Sequence, residues 1–320
     1  MSNARQLAAN LPREGGLSNR NLIINGAMQV AQRGTSFGVL ASRAYTIDRW
    51  NVDAGVNVQR ADLSVDEISE DTRLKYALQL LGNTSSQYFR QPIEDVTQFS
   101  SVTCTLSFWV KGSASTTLNN IYARQAFGSG GSSVVDTAFS PVSHSVTTSY
   151  TKYTGTVTLP SISGKTLGSG HHLELFMQVP NGVTLYITGV QLEVGDTATP
   201  FEHRSYSDQL QACQRFYTRM GNDDGGFTHL MVGSAEGPAV YVVSRTLPTP
   251  MRAVPSLTLG AGIRGYTASA GVVTINSFAT RCTRDIGCIS ANTSGSSVVG
   301  QAAVLYDSGA NGYIEYDAEL

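Results

Sequence analysis

Two stretches, TCTLSFWVKG (residues 103–112) and VTLYITGVQLEVG (residues 183–195), set the strongest limit on what this chain can fold into. Polar and apolar residues alternate in both, and each closes on a glycine. That is the pattern of an antiparallel strand with one face in a core. The pattern recurs in YALQLLG, YTKYTGTVTLP and LELFMQVP, each ended by Gly or Pro. NLIINGAMQVAQRG reads as a further strand closed by Gly34, and YTIDRWNV as one centred on Trp50. The charged run DEISEDTRLKY suits a loop or a helical turn. No long helices are interleaved, so a βαβ architecture is excluded and an antiparallel β-sandwich over residues 21–204 is expected.

The segment LEVGDTATPFEHRSYSDQLQACQRFYTRM interrupts this pattern. Its first half is loop chemistry. Ser205 and Asp208 then stand at capping-box spacing, and Leu210, Cys213 and Tyr217 form one stripe with Phe216 beside it. A short connecting helix over residues 205–220 is predicted. Two readings stay open for it: a helix lying on the sandwich edge, or a joint where Leu210, Cys213 and Tyr217 meet their symmetry mates. Strand patterns resume in PAVYVVSRTL, GVVTINS, AAVLYDSG and GYIEYDAEL, giving a smaller β domain over residues 221–320. At the other end, Met1, Ala4, Leu7, Ala8 and Leu11 have helical spacing up to Pro12, followed by the linker REGGLSNR. Residues 1–20 read either as a frayed tail or as a peptide that orders on a partner.

At 320 residues the chain exceeds what one core usually organises. Its 22 Lys+Arg against 24 Asp+Glu argue against nucleic acid as a partner, because phosphate binding needs clustered cations. Only 14% of residues are charged and 32 are Gly, as suits a turn-rich β protein with a polar but weakly charged surface. The cysteines at 104, 213, 282 and 288 form no CxxC pair. Buried thiols are the favoured reading, with a Cys282–Cys288 bridge as the alternative. Neither a secretory signal nor a membrane-spanning window is visible, so membrane insertion is not expected.

Catalytic motifs are not found. GAGIRG (residues 260–265) fits GxGxxG, but a strand pattern follows it where pyrophosphate binding needs a helix. GKT (residues 164–166) lacks the first P-loop glycine, Leu159 standing there. His171 and His172 are adjacent and would face opposite sides of a strand, and His203 reads as a structural hydrogen-bonding residue. No cofactor is implied. Trp50 and Trp109 fall within strand patterns and are assigned to cores. Tyr122, Tyr150, Tyr153 and Tyr266 lie closer to loops and are the candidates for stacking on a sugar's apolar face.

Several stretches resemble bacteriophage tail-fibre and receptor-binding spike proteins with a carbohydrate-binding-module-like jelly roll: NLIINGAMQVAQRGTSF, YTIDRW, GVQLEVGDTATPFEHRSYSDQLQACQRFYTR, LPTPMRAVPSLTL and the terminal DAEL. The resemblance runs from Asn21 to Leu320. It implies an all-β homotrimer made of a jelly roll, a connector and a C-terminal β domain. It also implies a virion protein made in the host cytoplasm, anchored to other virion proteins through an N-terminal segment containing Leu7 and Leu11. Such a protein attaches the particle to a bacterial surface saccharide without catalysis. The alternative is a structural virion component, a head spike or fibre adaptor, without its own receptor. Related carbohydrate-binding modules often hold a structural calcium. Thr188 and Gly189 occupy the place of their usual acidic ligands, leaving Asn25, Asp48 and Glu193 as the metal candidates.

Overall fold

A computed structural model describes residues 19–84, 87–221, 228–308 and 312–320. The proposed anchor residues Leu7 and Leu11 lie outside them. The chain forms two compact units, divided between Gln209 and Leu210, with Leu320 grouped with the first. The protein is all-β, with one short α-helix among the described residues.

In the first unit the strands are β1 (Ser36–Val39), β2 (Ala44–Tyr45), β3 (Asn51–Val52), β4 (Asn57–Asp62) and β5 (Tyr76–Leu81). There follow β6 (Tyr88–Ile93), β7 (Thr103–Gly112), β8 (Thr116–Leu118), β9 (Tyr122–Ala126) and β10 (Val135–Ala138). The last are β11 (His144–Val146), β12 (Thr151–Thr158), β13 (His172–Gln178) and β14 (Thr184–Val194). They build two six-stranded antiparallel sheets, β1-β4-β5-β14-β7-β12 and β10-β9-β13-β6-β3-β2, with β8 and β11 as a separate pair. The period-two pattern does what it should. Leu80, Phe108 and Ile187 from the first sheet meet Phe89, Leu175 and Met177 from the second in one core. Trp50 joins this core fully buried, 6.0 Å from Phe89, with its indole N–H donating to the Asn25 carbonyl at 3.2 Å.

Residues 21–34 are not a strand, contrary to the sequence pattern. Their backbone groups are committed elsewhere. Leu22 N–H donates to Leu192 O, Val190 N–H donates to Gly26 O, and Ile24 N–H donates to the Gln91 side chain at 2.8 Å. Asn25 takes φ +60°, and its amide group joins both backbone groups of Val30 to the Asp48 carbonyl. Gly26 passes so close to β14 that an added Cβ would sit 2.1 Å from the Val190 carbonyl oxygen. The segment is a hook across the end of β14, and its apolar residues are buried by docking rather than by pleating.

The stretch after β14 closes over this hook through buried polar groups. Glu193 takes hydrogen bonds from Gln191, from the Thr199 amide and from the Thr199 hydroxyl at 2.5 Å, and pairs with Arg20 at 3.2 Å. Glu202 accepts from the amides of Asn19 and Asn21 and from Arg204. Burial works against the charged form of Glu202, but these hydrogen bonds outweigh it and hold its carboxyl below the ordinary range. His203, read as structural, hydrogen-bonds Asp71 at 2.5 Å.

Helix α1 (Tyr206–Gln214) is capped by Ser205, whose hydroxyl accepts from the Asp208 amide at 3.1 Å and donates to the Asp208 carboxylate at 2.7 Å. It is shorter than predicted and ends before Tyr217.

The second unit contains β15 (Tyr217–Gly221), β16 (Thr228–Gly237), β17 (Val240–Thr246), β18 (Ser256–Leu259) and β19 (Ile263–Thr267). It continues with β20 (Gly271–Thr280), β21 (Ile286–Thr293), β22 (Ala302–Asp307) and β23 (Tyr313–Asp317). Six strands close a barrel, β16-β17-β21-β20-β19-β22, and β23 lies between β15 and β18 in a three-stranded sheet. Tyr241, Ile289 and Leu305 are fully buried in its core. GAGIRG leads into β19 and then β20, so no helix follows it. Its last glycine makes room for packing, since a Cβ on Gly265 would come within 2.9 Å of the Tyr241 ring.

Cys282 and Cys288 are not bridged; the Cys282 thiol contacts the Cys288 carbonyl at 3.4 Å. Cys104 is fully buried, and burial pushes its thiol up to about 11. Native protein treated with iodoacetamide at mildly alkaline pH is therefore expected to leave Cys104 unmodified until denaturant is added. Peptide mapping that finds it alkylated in folded protein would contradict this burial.

Candidate functional site: an aromatic and arginine cleft

The outer face of the second sheet carries the site. On β6, β9 and β13 one set of alternate residues enters the core, and the other set points away from it. The outward set is Tyr88 and Arg90 on β6, Tyr122 and Arg124 on β9, and Glu174 and Phe176 on β13. Strand register makes them neighbours: Phe176 lies opposite both Arg90 and Tyr122, and Arg124 lies opposite both Glu174 and Asp136. Together with Asn120 these strands line an open cleft of 490 Å³.

Three rings form its floor. Tyr122 stacks on Phe176 with centroids 5.4 Å apart and planes at 11°, and Tyr88 meets Phe176 edge-on at 5.6 Å. The Arg124 guanidinium lies 4.7 Å from the Phe176 centroid, a cation–π contact that fixes both groups. The charges are balanced within the cleft. Arg124 grips Asp136 through two bonds of 2.6 and 2.8 Å and reaches Glu174 at 3.5 Å. Arg90 pairs with Asp53 at 2.6 Å, and Arg43 reaches Glu174 at 3.5 Å while bonding Asn51. The hydrogen bonds that Arg124 donates to Asp136 raise the guanidinium above its ordinary value, whereas burial lowers that of Arg90 against the pull of Glu174. Such a surface offers ring faces and edges with fixed donors and acceptors, and little net charge.

The sequence-derived candidates fare unequally. Tyr122 lines the cleft. Tyr153 does not: it is 1% exposed, stacked on Phe108 at 4.7 Å, with its hydroxyl bonded to Pro141 O. Its position on β12 puts it in the core phase of an eight-residue strand, which corrects its reading as a loop aromatic. Tyr150 packs beside Trp109, Leu74 and Ile68, with Lys111 over its ring at 4.9 Å, and burial raises its phenol well above the ordinary range. Tyr266 is exposed on β19 of the barrel and belongs to the second unit, not to the sandwich. Trp50 and Trp109 are buried, as assigned.

Asn25, Asp48 and Glu193 do not make a metal centre. Asn25 bonds backbone, Asp48 receives two hydrogen bonds from Gln32, and Glu193 is taken up by Arg20, Gln191 and Thr199. Among the described residues no group of three or more His, Cys, Asp or Glu side chains is placed to hold an ion. The seam residues also need correction. Cys213 and Tyr217 are 0% and 2% exposed within the single chain, and Tyr217 lies on β15, bonded to Glu315 at 2.6 Å. Only Leu210 keeps some surface, so the three cannot form a shared stripe toward symmetry mates.

Sequence reading missed Tyr88, Arg90, Arg124, Asp136, Glu174 and Phe176. The signal was present as an aromatic and a charged residue two apart in YFRQPI, YARQA and HLELFMQ. Nothing local shows that these three strands are neighbours.

No family model matches the sequence, and no curated protein does. Among solved structures the chain has distant similarity to the CBM22-1 xylan-binding domain of Paenibacillus barcinonensis Xyn10C. The identity is 15% and the TM-score 0.33, covering 51% of this chain and 94% of that domain. The CBM22-1–CBM22-2 tandem of the same protein aligns over 91% of this chain and 92% of its own length, at 14% identity and a TM-score of 0.34. The enzymatically active domain of bacteriophage CBA120 tailspike protein 4 aligns over 55% of this chain and 22% of its own, at 16% identity and a TM-score of 0.36.

Proposed function

We propose that this protein is a non-catalytic virion spike or fibre that attaches a phage particle to a saccharide on the bacterial surface, through the cleft on the sandwich's second sheet. The observation that carries saccharide binding is the Tyr122–Phe176–Tyr88 floor bordered by paired arginines and carboxylates. Hydroxyl-rich ligands need both halves: ring surface for C–H faces, and donors and acceptors already held in place. Because Arg43, Arg90 and Arg124 are matched by Asp53, Asp136 and Glu174, the cleft suits an uncharged chain. The same pairing supports a binding role over a hydrolytic one, since all three carboxylates are engaged with guanidiniums rather than standing unpaired across a scissile bond.

The phage setting rests on the sequence resemblance over Asn21 to Leu320. Several copies on one particle would let weak individual contacts hold the cell. Fluorescently labelled protein is expected to bind host cells saturably and to compete with particle adsorption. Folded protein that binds no cells would transfer the assignment to a structural spike or adaptor.

A further inference from the structure

The barrel holds a second concavity whose chemistry differs from that of the sandwich cleft. It measures 610 Å³ and lies between β19, β20 and the turn before β19. Arg264 stands in it. Its Nη1 donates to the carbonyls of Ala261 at 2.9 Å and Ile263 at 3.0 Å. These bonds fix the plane of the guanidinium and occupy one nitrogen. Among the described residues the edge made by Nε–H and Nη2–H has no hydrogen-bond partner, and no carboxylate lies within ion-pair distance of it. Every arginine of the sandwich cleft is charge-matched; among the described residues this one is not.

The neighbouring strand β20 adds apolar and hydroxyl-compatible groups. Thr274 lies directly across from Arg264 in the β19–β20 register. A β-bulge between Ile275 and Ser277 breaks the pairing of β20 with β21. Bulges re-aim the side chains around them. Ile275 and Phe278, both half-buried, supply apolar surface, and Asn276 supplies an exposed amide. An anchored guanidinium with an open two-donor edge accepts a carboxylate in bidentate fashion, whereas a neutral hydroxyl gains far less from it.

We infer that this pocket is a second binding site, for a carboxylate-bearing sugar of the uronic acid class, with the carboxylate on Arg264 and the ring against Phe278. It is separate from the sandwich cleft and does not depend on it.

The test is calorimetric titration of the full chain with tetragalacturonate, its methyl ester, and a glucuronate-containing tetrasaccharide. At least one free acid is expected to bind, and the methyl ester to bind about tenfold more weakly or worse, the scale of one charge-assisted contact. Arg264→Gln should lose about tenfold or more for the acid while leaving cell binding through the sandwich cleft unchanged. Arg264→Lys, which keeps the charge but loses the fork, should fall between the two. Equal affinity of acid and ester, or binding of neither acid, would overturn the site. So would an Arg264→Gln protein, intact by circular dichroism, that binds the acid as wild type does. The ester comparison needs no variant and stands even if a substitution unfolds the barrel.

Discussion

Tyr122→Ala is expected to weaken saccharide and cell binding by about 10- to 30-fold, the effect of removing one central aromatic from a binding surface. Tyr122 is half-exposed, and its stack with Phe176 holds that ring against Arg124 and Tyr88. Truncation removes a contact face and lets its neighbour move, so the loss includes both contact and preorganisation. Stability should change little, because the ring lies on the outer face and not in the main core. Two controls locate the effect. Tyr153→Phe removes only a hydroxyl inside the core and should leave binding unaltered, as should Tyr266→Ala on the barrel. Undiminished binding by Tyr122→Ala, or equal losses in all three proteins, would remove the cleft from consideration.

Trp50→Ala is expected to cost the sandwich about 3–5 kcal/mol, the range for deleting a large buried aromatic. The side chain is fully buried, packs at 6.0 Å from Phe89, and donates to the Asn25 carbonyl. Its loss leaves a cavity and removes one of the two hydrogen bonds on the Asn25 carbonyl, the Met28 amide still donating to it at 3.1 Å, at the place where the N-terminal hook docks. In a domain of this size the midpoint of thermal unfolding should drop by roughly 6–20 °C, at about 2–4 °C per kcal/mol. Trp50→Phe separates the two causes: it keeps much of the ring volume but loses the indole hydrogen bond to a carbonyl that Met28 N–H still satisfies. It should cost less than the alanine variant, with about 0.5–1.5 kcal/mol of its loss from that bond. A shift of a degree or two for the alanine variant would mean that the hook is not held by this residue.

Strand-forming segments were legible because their chemistry is local. In TCTLSFWVKG and VTLYITGVQLEVG, side chains two apart share a face, so the strand period is written directly into the order of residues, although tertiary packing buries both faces of these strands. Ser205 and Asp208 announced the helix start for the same reason, since a cap involves residues three apart. Residues 21–34 misled because an apolar run says only that the segment is buried. Whether it pleats or hooks depends on partners such as Val190 and Gln91, far along the chain.

The binding surface belongs to the second kind of information. Tyr88, Tyr122 and Phe176 come from β6, β9 and β13, and nothing near any of them specifies that β13 lies between the other two. Tyr153 and Tyr122 have similar local surroundings of polar residues and small gaps, yet strand phase sends one into the core and the other onto the open face. By itself, then, the sequence determined the all-β class, the two-part organisation and the absence of a recognisable catalytic motif, all of which follow from short-range pattern and composition. Only the tertiary structure decided which aromatics share a cleft and which arginines are charge-matched, because those relations are set by sheet order and register across long separations in the chain.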